Sequence, residues 1–337
     1  MSGTPTSDRF RGPSTSRRTV LLTLAASAAA RVPTAAASVD VGSPAFDVRR
    51  LSLTHERRTV PHASDFDDPV VVATPPSYAG SNEAFARVDR VGPAGFDAAI
   101  EEWSFLEGPH MEEVVGCLAA ESGVSRFDDG PMVAAGTVEL GTEWTRVKYD
   151  EVFPKPPIVL TGTQTRNTGR PVIVRNQKIS THGVSVRIQG SERTPAKGRE
   201  TVGYVAVERG KGTLGGRPYE GRIERDISDD WHTIEFDGEY EDPVFLADLR
   251  TAEGMDPATL RYRNLDGRSV EVFLEEERSR DDETWHMKED IGYVVFEGGS
   301  TTTPPPTDEP EPDRSDPDGS DPGGWGRGGF GWGRVGA

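Results

Sequence analysis

The most constraining feature of the sequence is an internal repeat with a period of about 87 residues. Phe66, Phe153 and Tyr240 lie 87 positions apart, and each comes three residues before a proline. An apolar-Gly-Cys/Tyr motif recurs at spacings of 87 and 89, as Val115-Gly116-Cys117, Val202-Gly203-Tyr204 and Ile291-Gly292-Tyr293. Such self-similarity indicates copies of one folding unit. We therefore predict three repeats, at 38–130, 131–214 and 215–299.

Within each copy the apolar pattern has a period of two, which is typical of strands with one buried face. Val184, Val186 and Ile188, for example, alternate with polar residues. Short apolar runs beginning at a proline, such as 69–72 and 157–160, indicate further strands. The pattern predicts an all-β chain of three tandem antiparallel β-sandwiches. The spaced aromatic residues Phe66, Phe153 and Tyr240 are expected at equivalent core positions.

The two ends of the chain differ in composition from the repeats. Residues 1–37 combine Arg17-Arg18, an apolar stretch and Ala35-Ala36-Ala37, which resembles a twin-arginine export signal. No second apolar span follows, so no membrane span is expected. Residues 300–337 are rich in Pro, Asp, Glu and Gly and are predicted to be disordered. These features predict an extracellular or cell-surface location.

Charge excludes one class of partner. The net charge is −18, whereas a nucleic-acid-binding protein needs a basic face. The chain has 38 basic residues, and few of them are lysine, which together with the acidity indicates adaptation to high salt. The single cysteine, Cys117, is expected to be a small buried residue within a strand.

The order Gly-x-Val, Trp-x-x-Val, Phe-x-x-Pro-Pro-Ile-Val-Leu, alternating strand, Gly-Val-x-Val and apolar closing strand resembles the H-type lectin family. The resemblance covers most of 131–210 and 217–299 and is weaker over 45–123. It implies six-stranded antiparallel sandwiches, a ring of three, and sugars such as N-acetylgalactosamine bound in clefts between subunits. Three copies in one chain then suggest an intrachain pseudo-trimer, with separate beads on a string as the alternative.

The resemblance also implies candidate site residues. Trp103, eight residues after Gly95, falls on the family's aromatic position, with Ser191 and Glu275 at the same count in the other copies. His110 and His286 each come six residues before the closing glycine, with Lys197 in the second copy, and the glutamates come three before it. The predicted carbohydrate-binding residues are Trp103, His110, Glu113, Trp285, His286 and Glu289. The alternative is that these are polar residues at loop ends.

No pattern of catalytic chemistry stands out. The sequence has no Gly-x-Ser-x-Gly, phosphate loop or dinucleotide fingerprint, and carboxylate pairs carry no information among 56 acidic residues. We predict no enzyme activity, no catalytic residues, no metal and no cofactor. The predicted function is an exported lectin-like protein that binds glycans multivalently. The alternative is a structural protein of the cell exterior that uses the sandwich for assembly and binds no sugar.

Overall fold

The structure is a computed structural model that describes residues 45–106, 108–127, 131–281 and 283–298, and the backbone of 301–302. The predicted export signal and the predicted tail beyond residue 302 lie outside the described residues. Within those ranges the chain forms strands and no helix, so the all-β prediction is confirmed.

The strands alternate with short turns along the chain. In order they are β1 (Phe46–Leu53), β2 (Arg58–Pro61), β3 (Pro69–Pro76), β4 (Ala84–Gly92), β5 (Gly95–Glu102), β6 (Glu113–Glu121), β7 (Gly123–Arg126), β8 (Met132–Leu140), β9 (Thr145–Lys148), β10 (Ile158–Thr163), β11 (Ile173–Ser180), β12 (Gly183–Gln189), β13 (Glu200–Val207), β14 (Gly210–Leu214), β15 (Arg217–Ile227), β16 (His232–Glu235), β17 (Val244–Leu249), β18 (Ala258–Arg263), β19 (Ser269–Glu276), β20 (Glu289–Phe296) and β21 (Thr301–Thr302).

Each repeat builds a sandwich of two sheets from six strands. In the first repeat the sheets have the orders β1-β6-β3 and β2-β5-β4. The second repeat has β10-β13-β8 and β11-β12-β9, and the third has β15-β20-β17 and β16-β19-β18. All pairs within these sheets are antiparallel. The predicted antiparallel sandwich architecture is therefore confirmed.

The inner faces of the two sheets form a separate core in each repeat. Phe66, Phe153 and Tyr240 are 5%, 1% and 6% exposed, as the repeat predicted. Cys117 is buried in β6, where burial raises the pKa of its thiol to about 12. A thiol in that environment behaves as an apolar side chain rather than as a nucleophile.

A fourth apolar cluster contains residues from all three repeats. In each repeat the sheet that contains β6, β13 or β20 has a fourth strand, and we call these the larger sheets. The cluster lies on their outer faces and includes Val70 and Val72 of β3, Ile158 of β10, Val205 of β13 and Leu246 of β17. Alternate residues of the same strands point into the sandwich cores, as Val71 does. Both faces of these strands are therefore buried, which explains why their sequences read as continuous apolar runs.

Short strands between the repeats add an edge to the neighbouring sheet. β7 pairs with β8, and β14 pairs with β15. The residues of β7 and β14, which the sequence pattern assigned to the preceding repeat, thus join the sheet of the following one. The two residues of β21 pair in parallel with β1, through Arg50↔Thr301 and Leu51↔Thr302. Residues from the predicted tail thereby return to the sheet of the first repeat.

Candidate functional site

His110 lies in a buried polar cluster rather than on a surface. It is 5% exposed, its Nδ1 is 2.5 Å from Oε1 of Glu102, and its Nε2 is 3.1 Å from Oε1 of Glu113. Carboxylate oxygens only accept hydrogen bonds, so both contacts are satisfied together when both ring nitrogens carry hydrogen. The geometry therefore favours the imidazolium form. The two carboxylate bonds outweigh the effect of burial and raise the pKa of His110.

His286 occupies the equivalent place in the third repeat. It is 3% exposed, its Nδ1 bonds Glu276, and its Nε2 is 3.3 Å from Oε1 of Glu289. Burial alone would lower the pKa of this imidazole, but the bonds to the two carboxylates raise it to about 9. The adjacent Trp285 is 60% exposed, so the pair diverges: the histidine turns inward and the indole faces solvent.

The glutamate three residues before each closing glycine is fully buried, and its carboxylate accepts hydrogen bonds from a turn of its own repeat. Glu113 accepts hydrogen bonds from the amides of Ala79 and Gly80 and from the hydroxyl of Ser77. Glu200 and Glu289 hold the corresponding turns of the other two repeats in the same way. Each glutamate is 0% exposed, which excludes Glu113 and Glu289 from direct contact with a ligand in this conformation.

Each of these glutamates also pairs with an arginine from a different repeat. Arg87 of the first repeat lies 2.7 Å from Glu200 of the second, and Arg175 of the second lies 2.9 Å from Glu289 of the third. Arg261 of the third repeat lies 2.8 Å from Glu113 of the first. The three arginines are at most 1% exposed. Buried pairs of this kind add little net stability but penalise any arrangement that separates them.

The second repeat has no histidine at this place, and a threonine takes over its role. The hydroxyl of Thr168 donates to Oε1 of Glu200 at 2.7 Å. The residues equivalent to Thr168 are Gly80 and Gly254, where an added Cβ would lie 3.0 Å and 2.3 Å from Cε1 of the histidine. The glycines thus make room for the imidazole rings. This pairing of glycine with histidine is a signal that the sequence already contained.

Trp103 is buried, so the exposed platform predicted for it is not present in this structure. It is 2% exposed and packs against Phe85 of its own repeat, with ring centroids 5.0 Å apart, and against Ile173 of the second repeat. Burial of a large aromatic ring between two repeats removes much apolar surface from water and so stabilises their contact. The strand register also corrects the count in the third repeat: Ser269 matches Gly95, so the equivalent of Trp103 is Glu277 rather than Glu275.

A cleft of about 440 Å³ lies between the third repeat and the first; we call it the 3–1 cleft. Its lining includes Tyr78, Asn82, Asp229, Phe273, Glu276 and Arg278. The rings of Tyr78 and Phe273 meet edge to face, with centroids 5.3 Å apart. Tyr78 is 36% exposed and gives the cleft an accessible aromatic surface beside carboxylates and a guanidinium.

Trp231 packs against both rings of this aromatic surface. Its ring centroid lies 4.3 Å from that of Phe273, and the guanidinium of Arg263 lies 3.9 Å above the Trp231 ring. Arg261, the buried partner of Glu113, stacks over Tyr78 at 5.1 Å. Arg261 therefore connects a wall residue of the cleft to the ion pair between the repeats.

A smaller cleft of about 180 Å³, which we call the 1–2 cleft, lies between the first repeat and Pro171 of the second. Its lining includes His55, Glu102, Trp103, Ser104, Leu106 and Pro171. Trp103 thus contributes to the wall of a cleft although almost none of its surface is exposed. Glu102 is the same carboxylate that binds His110.

The two clefts are built from the same positions of their repeats. His55, Ile100, Glu102 and Ser104 of the 1–2 cleft stand 174 positions before Asp229, Leu274, Glu276 and Arg278 of the 3–1 cleft. In the first repeat β5, which pairs with the strand of Arg87, ends at the 1–2 cleft; in the third β19, which pairs with the strand of Arg261, ends at the 3–1 cleft. The chemistry of the lining nevertheless differs, because only the carboxylate of Glu102 and Glu276 is the same residue type in both.

Sequence reasoning missed the cleft residues Tyr78, Asp229 and Phe273 and the three paired arginines. The arginines did carry a signal: Arg87, Arg175 and Arg261 recur at spacings of 88 and 86. A charged residue that repeats with the folding unit at one position of equivalent strands indicates a structural role shared by the repeats. Tyr78 and Phe273 have no such signal, because they occur in single copies.

The described residues contain neither a clustered His, Cys, Asp or Glu metal site nor a helix able to span a membrane. No group of three or more His, Cys, Asp or Glu side chains in those ranges is arranged to hold a metal ion. The described part of the chain also lacks a helix of the length and apolarity needed to cross a bilayer.

No protein-family model matches the chain, and no solved structure matches it. The chain is similar to halomucin of Haloquadratum walsbyi (strain DSM 16790 / HBSQ001), with 28% identity over 265 residues. The similar part makes up 74% of this chain but 3% of halomucin, so the chain spans a small fraction of that relative's length. The resemblance to H-type lectins accordingly stays a prediction.

Proposed function

We propose that this chain is an exported, non-catalytic carbohydrate-binding protein whose sites are the 3–1 and 1–2 clefts. The observation that carries the proposal is the recurrence of a cleft at equivalent positions of two boundaries between repeats. A cleft that recurs with the repeat is a property of the folding unit and its packing. The resemblance to H-type lectins, which bind sugars between subunits, points to the same place.

The chemistry of the 3–1 cleft suits a sugar ring. Tyr78 and Phe273 offer aromatic surface to the apolar face of a pyranose, and Asp229, Glu276 and Arg278 surround it with hydrogen-bonding groups. Small-molecule sites in proteins combine apolar walls with a few polar groups in this way. This assignment moves the predicted aromatic platform from Trp103 to Tyr78 and Phe273. His110, His286, Glu113 and Glu289 then support the site from within the protein.

The proposal includes a pseudo-trimer formed within one chain. Three observations support it: the arginine–glutamate pairs run from repeat one to two, two to three and three to one; the central apolar cluster draws on all three repeats; and β21 pairs with β1. Beads on a string would leave the outer faces of the larger sheets in water. Small-angle scattering of the mature chain distinguishes the two, since separate beads give an elongated particle.

Export and a cell-surface location rest on two supports. The first is the signal-like segment with Arg17 and Arg18. The second is the similarity to halomucin, whose name describes a mucin. Replacement of both arginines by lysine should block export by the twin-arginine route. Unimpaired export of that variant would refute this route and leave the glycan proposal intact.

The decisive experiment is a glycan array in molar salt with the mature protein and three variants. Tyr78→Ala removes the accessible aromatic ring and Asp229→Asn removes one carboxylate of the 3–1 cleft. Both should reduce binding to the level that the 1–2 cleft gives alone. Met255→Ala, at a side chain 86% exposed outside both clefts, is the matched control and should bind as the wild type does. Thermal midpoints of the same proteins separate loss of binding from loss of fold. Two engaged clefts on one chain would raise avidity by about 10²–10⁴.

A second candidate function is a structural module of the cell exterior that binds no sugar. The differing linings of the two clefts favour it, because one ligand would be expected to select like residues at both sites. The buried charge pairs also favour this candidate, because they penalise packing orders of the repeats that would separate them. Absence of any bound glycan across the array, with a folded protein, would favour this candidate.

A further inference from the structure

A separate cavity lies where strands of all three repeats meet. It has a volume of about 60 Å³ and is lined by residues of β3 and β4, β10 and β11, and β17 and β18. A cavity needs roughly 10–15 Å³ measured in this way to hold one water-sized guest. The space is distinct from both clefts, with which it shares no lining residue.

Asp248 is the one charged residue of the lining. It occurs in the third repeat alone, since Thr74 and Gly162 occupy the equivalent positions. Its Oδ2 accepts hydrogen bonds from the amide and hydroxyl of Thr161, at 2.9 and 2.6 Å, and from Nδ2 of Asn176 at 2.9 Å. Its Oδ1 accepts one bond, from the amide of Leu249 at 2.8 Å. These donors hold the carboxylate in place and leave Oδ1 able to accept more.

The hydroxyl groups around the cavity also present oxygen lone pairs. Thr74 donates its hydrogen to the carbonyl of Ala247 at 3.1 Å, and Thr163 donates to the carbonyl of Val88 at 3.0 Å. Thr259, which is 8% exposed, has a hydroxyl with no hydrogen-bond partner among the described residues. The lining thus offers acceptors in excess of donors, and it contains no Lys, Arg, His, Asn or Gln side chain.

Arg175 does not neutralise Asp248. The charge of Asp248 acts on Arg175, but the guanidinium of Arg175 is engaged by Oε1 of Glu289 and by the carbonyl of Asp256, each at 2.9 Å. Asp248 keeps a small exposed fraction, but most of its surroundings are protein, and a charge removed from water without a counter-charge is costly. That cost raises the pKa of Asp248 to about 7, because burial outweighs its four hydrogen bonds.

We propose that this cavity binds a monovalent cation, Na⁺ or K⁺, through the carboxylate of Asp248 and neighbouring hydroxyl oxygens. Hard cations prefer oxygen ligands, and a single carboxylate balances a single positive charge. A divalent ion would retain an unbalanced charge in the interior. The ion would tie the third repeat to the other two at the point where all three meet. This inference does not depend on glycan binding.

The direct test is crystallography of the mature protein grown in RbCl, with data collected at the rubidium absorption edge. The expected result is an anomalous peak in the cavity beside Asp248, which disappears in crystals of Asp248→Asn. Water molecules alone in the wild-type cavity, without an anomalous peak, would overturn the proposal.

A solution test compares thermal midpoints in NaCl, KCl and choline chloride at equal ionic strength. The wild type should melt lower in choline, and its midpoint should rise by about 3 °C for each tenfold increase in the binding cation. Thr259→Val keeps every hydrogen bond of Asp248 and should reduce this cation dependence; Asp248→Asn should abolish it. Asp230→Asn, which removes an exposed charge, should retain it.

Equal midpoints in the three salts would overturn the inference. So would a dependence that persists in both cavity variants, since the effect would then come from the acidic surface. A midpoint that responds to CaCl₂ at constant ionic strength, but not to the monovalent salts, would overturn the assignment to a monovalent ion.

Discussion

Replacing Arg175 with methionine tests whether the buried pairs hold the three repeats together. Methionine replaces the aliphatic stem of the side chain but not its guanidinium, and it removes three hydrogen bonds, to Glu289, Asp256 and Gln189. Glu289 then stays 0% exposed with one cationic partner fewer. Breaking a buried pair on one side costs up to about 3–5 kcal/mol, because the remaining charge loses its compensation; Glu289 keeps His286 and three hydrogen-bond donors, so the loss belongs toward the lower end. We expect a loss of that size in the free energy of unfolding.

The assay is urea unfolding at fixed salt and pH, followed by tryptophan fluorescence. Arg126→Met is the matched control: Arg126 pairs with Glu151 at the surface, where the side chains are 62% and 47% exposed. A pair in water contributes about 0–1 kcal/mol, so the control should unfold close to the wild type. The double variant Arg175→Met/Glu289→Gln should recover part of the loss, since it removes the stranded charge along with its partner.

If Arg175→Met and Arg126→Met unfold at the same urea concentration, the buried pair does not stabilise the packing of the second repeat against the third. The order in which the repeats pack would then depend on the central apolar cluster instead.

Three further predictions concern the cores and the histidine bridges. Phe153→Ala should cost about 3–5 kcal/mol in urea unfolding, because the ring is 1% exposed; a loss below about 1 kcal/mol would contradict its core role. His286 has a folded pKa of about 9, above its unfolded value near 6.5, so its stabilising effect is complete below pH 6.5 and is lost as pH rises through 9. The midpoint of the wild type should therefore fall between pH 7 and 10 more steeply than that of His286→Gln, and parallel curves would exclude the imidazolium bridge. Gly254→Ala should lower the thermal midpoint because its Cβ would meet the His286 ring at 2.3 Å, whereas Gly221→Ala, with its nearest atom at 3.5 Å, should have little effect; equal shifts would show that the ring can move aside.

The sequence by itself determined the folding unit. Alternation with a period of two and the turn residues between strands depend on local backbone geometry, so each copy reveals its sandwich. The spacing of Phe66, Phe153 and Tyr240 identified equivalent core positions, and all three are buried. Runs such as 69–72 were apolar on both faces, and the structure shows the reason, since one face meets the sandwich core and the other meets the central cluster.

Tertiary structure alone decided what the candidate site residues do. Whether Trp103 faces solvent depends on Ile173, some 70 residues away, and the surroundings of Glu113 depend on Arg261 from the third repeat. The pattern of residues along one strand shows which of its faces is apolar. It does not show which distant part of the chain buries the polar residues at the end of that strand. The histidines were interpreted as surface groups for that reason. The folding of their own repeats placed them inside, where each bridges two carboxylates.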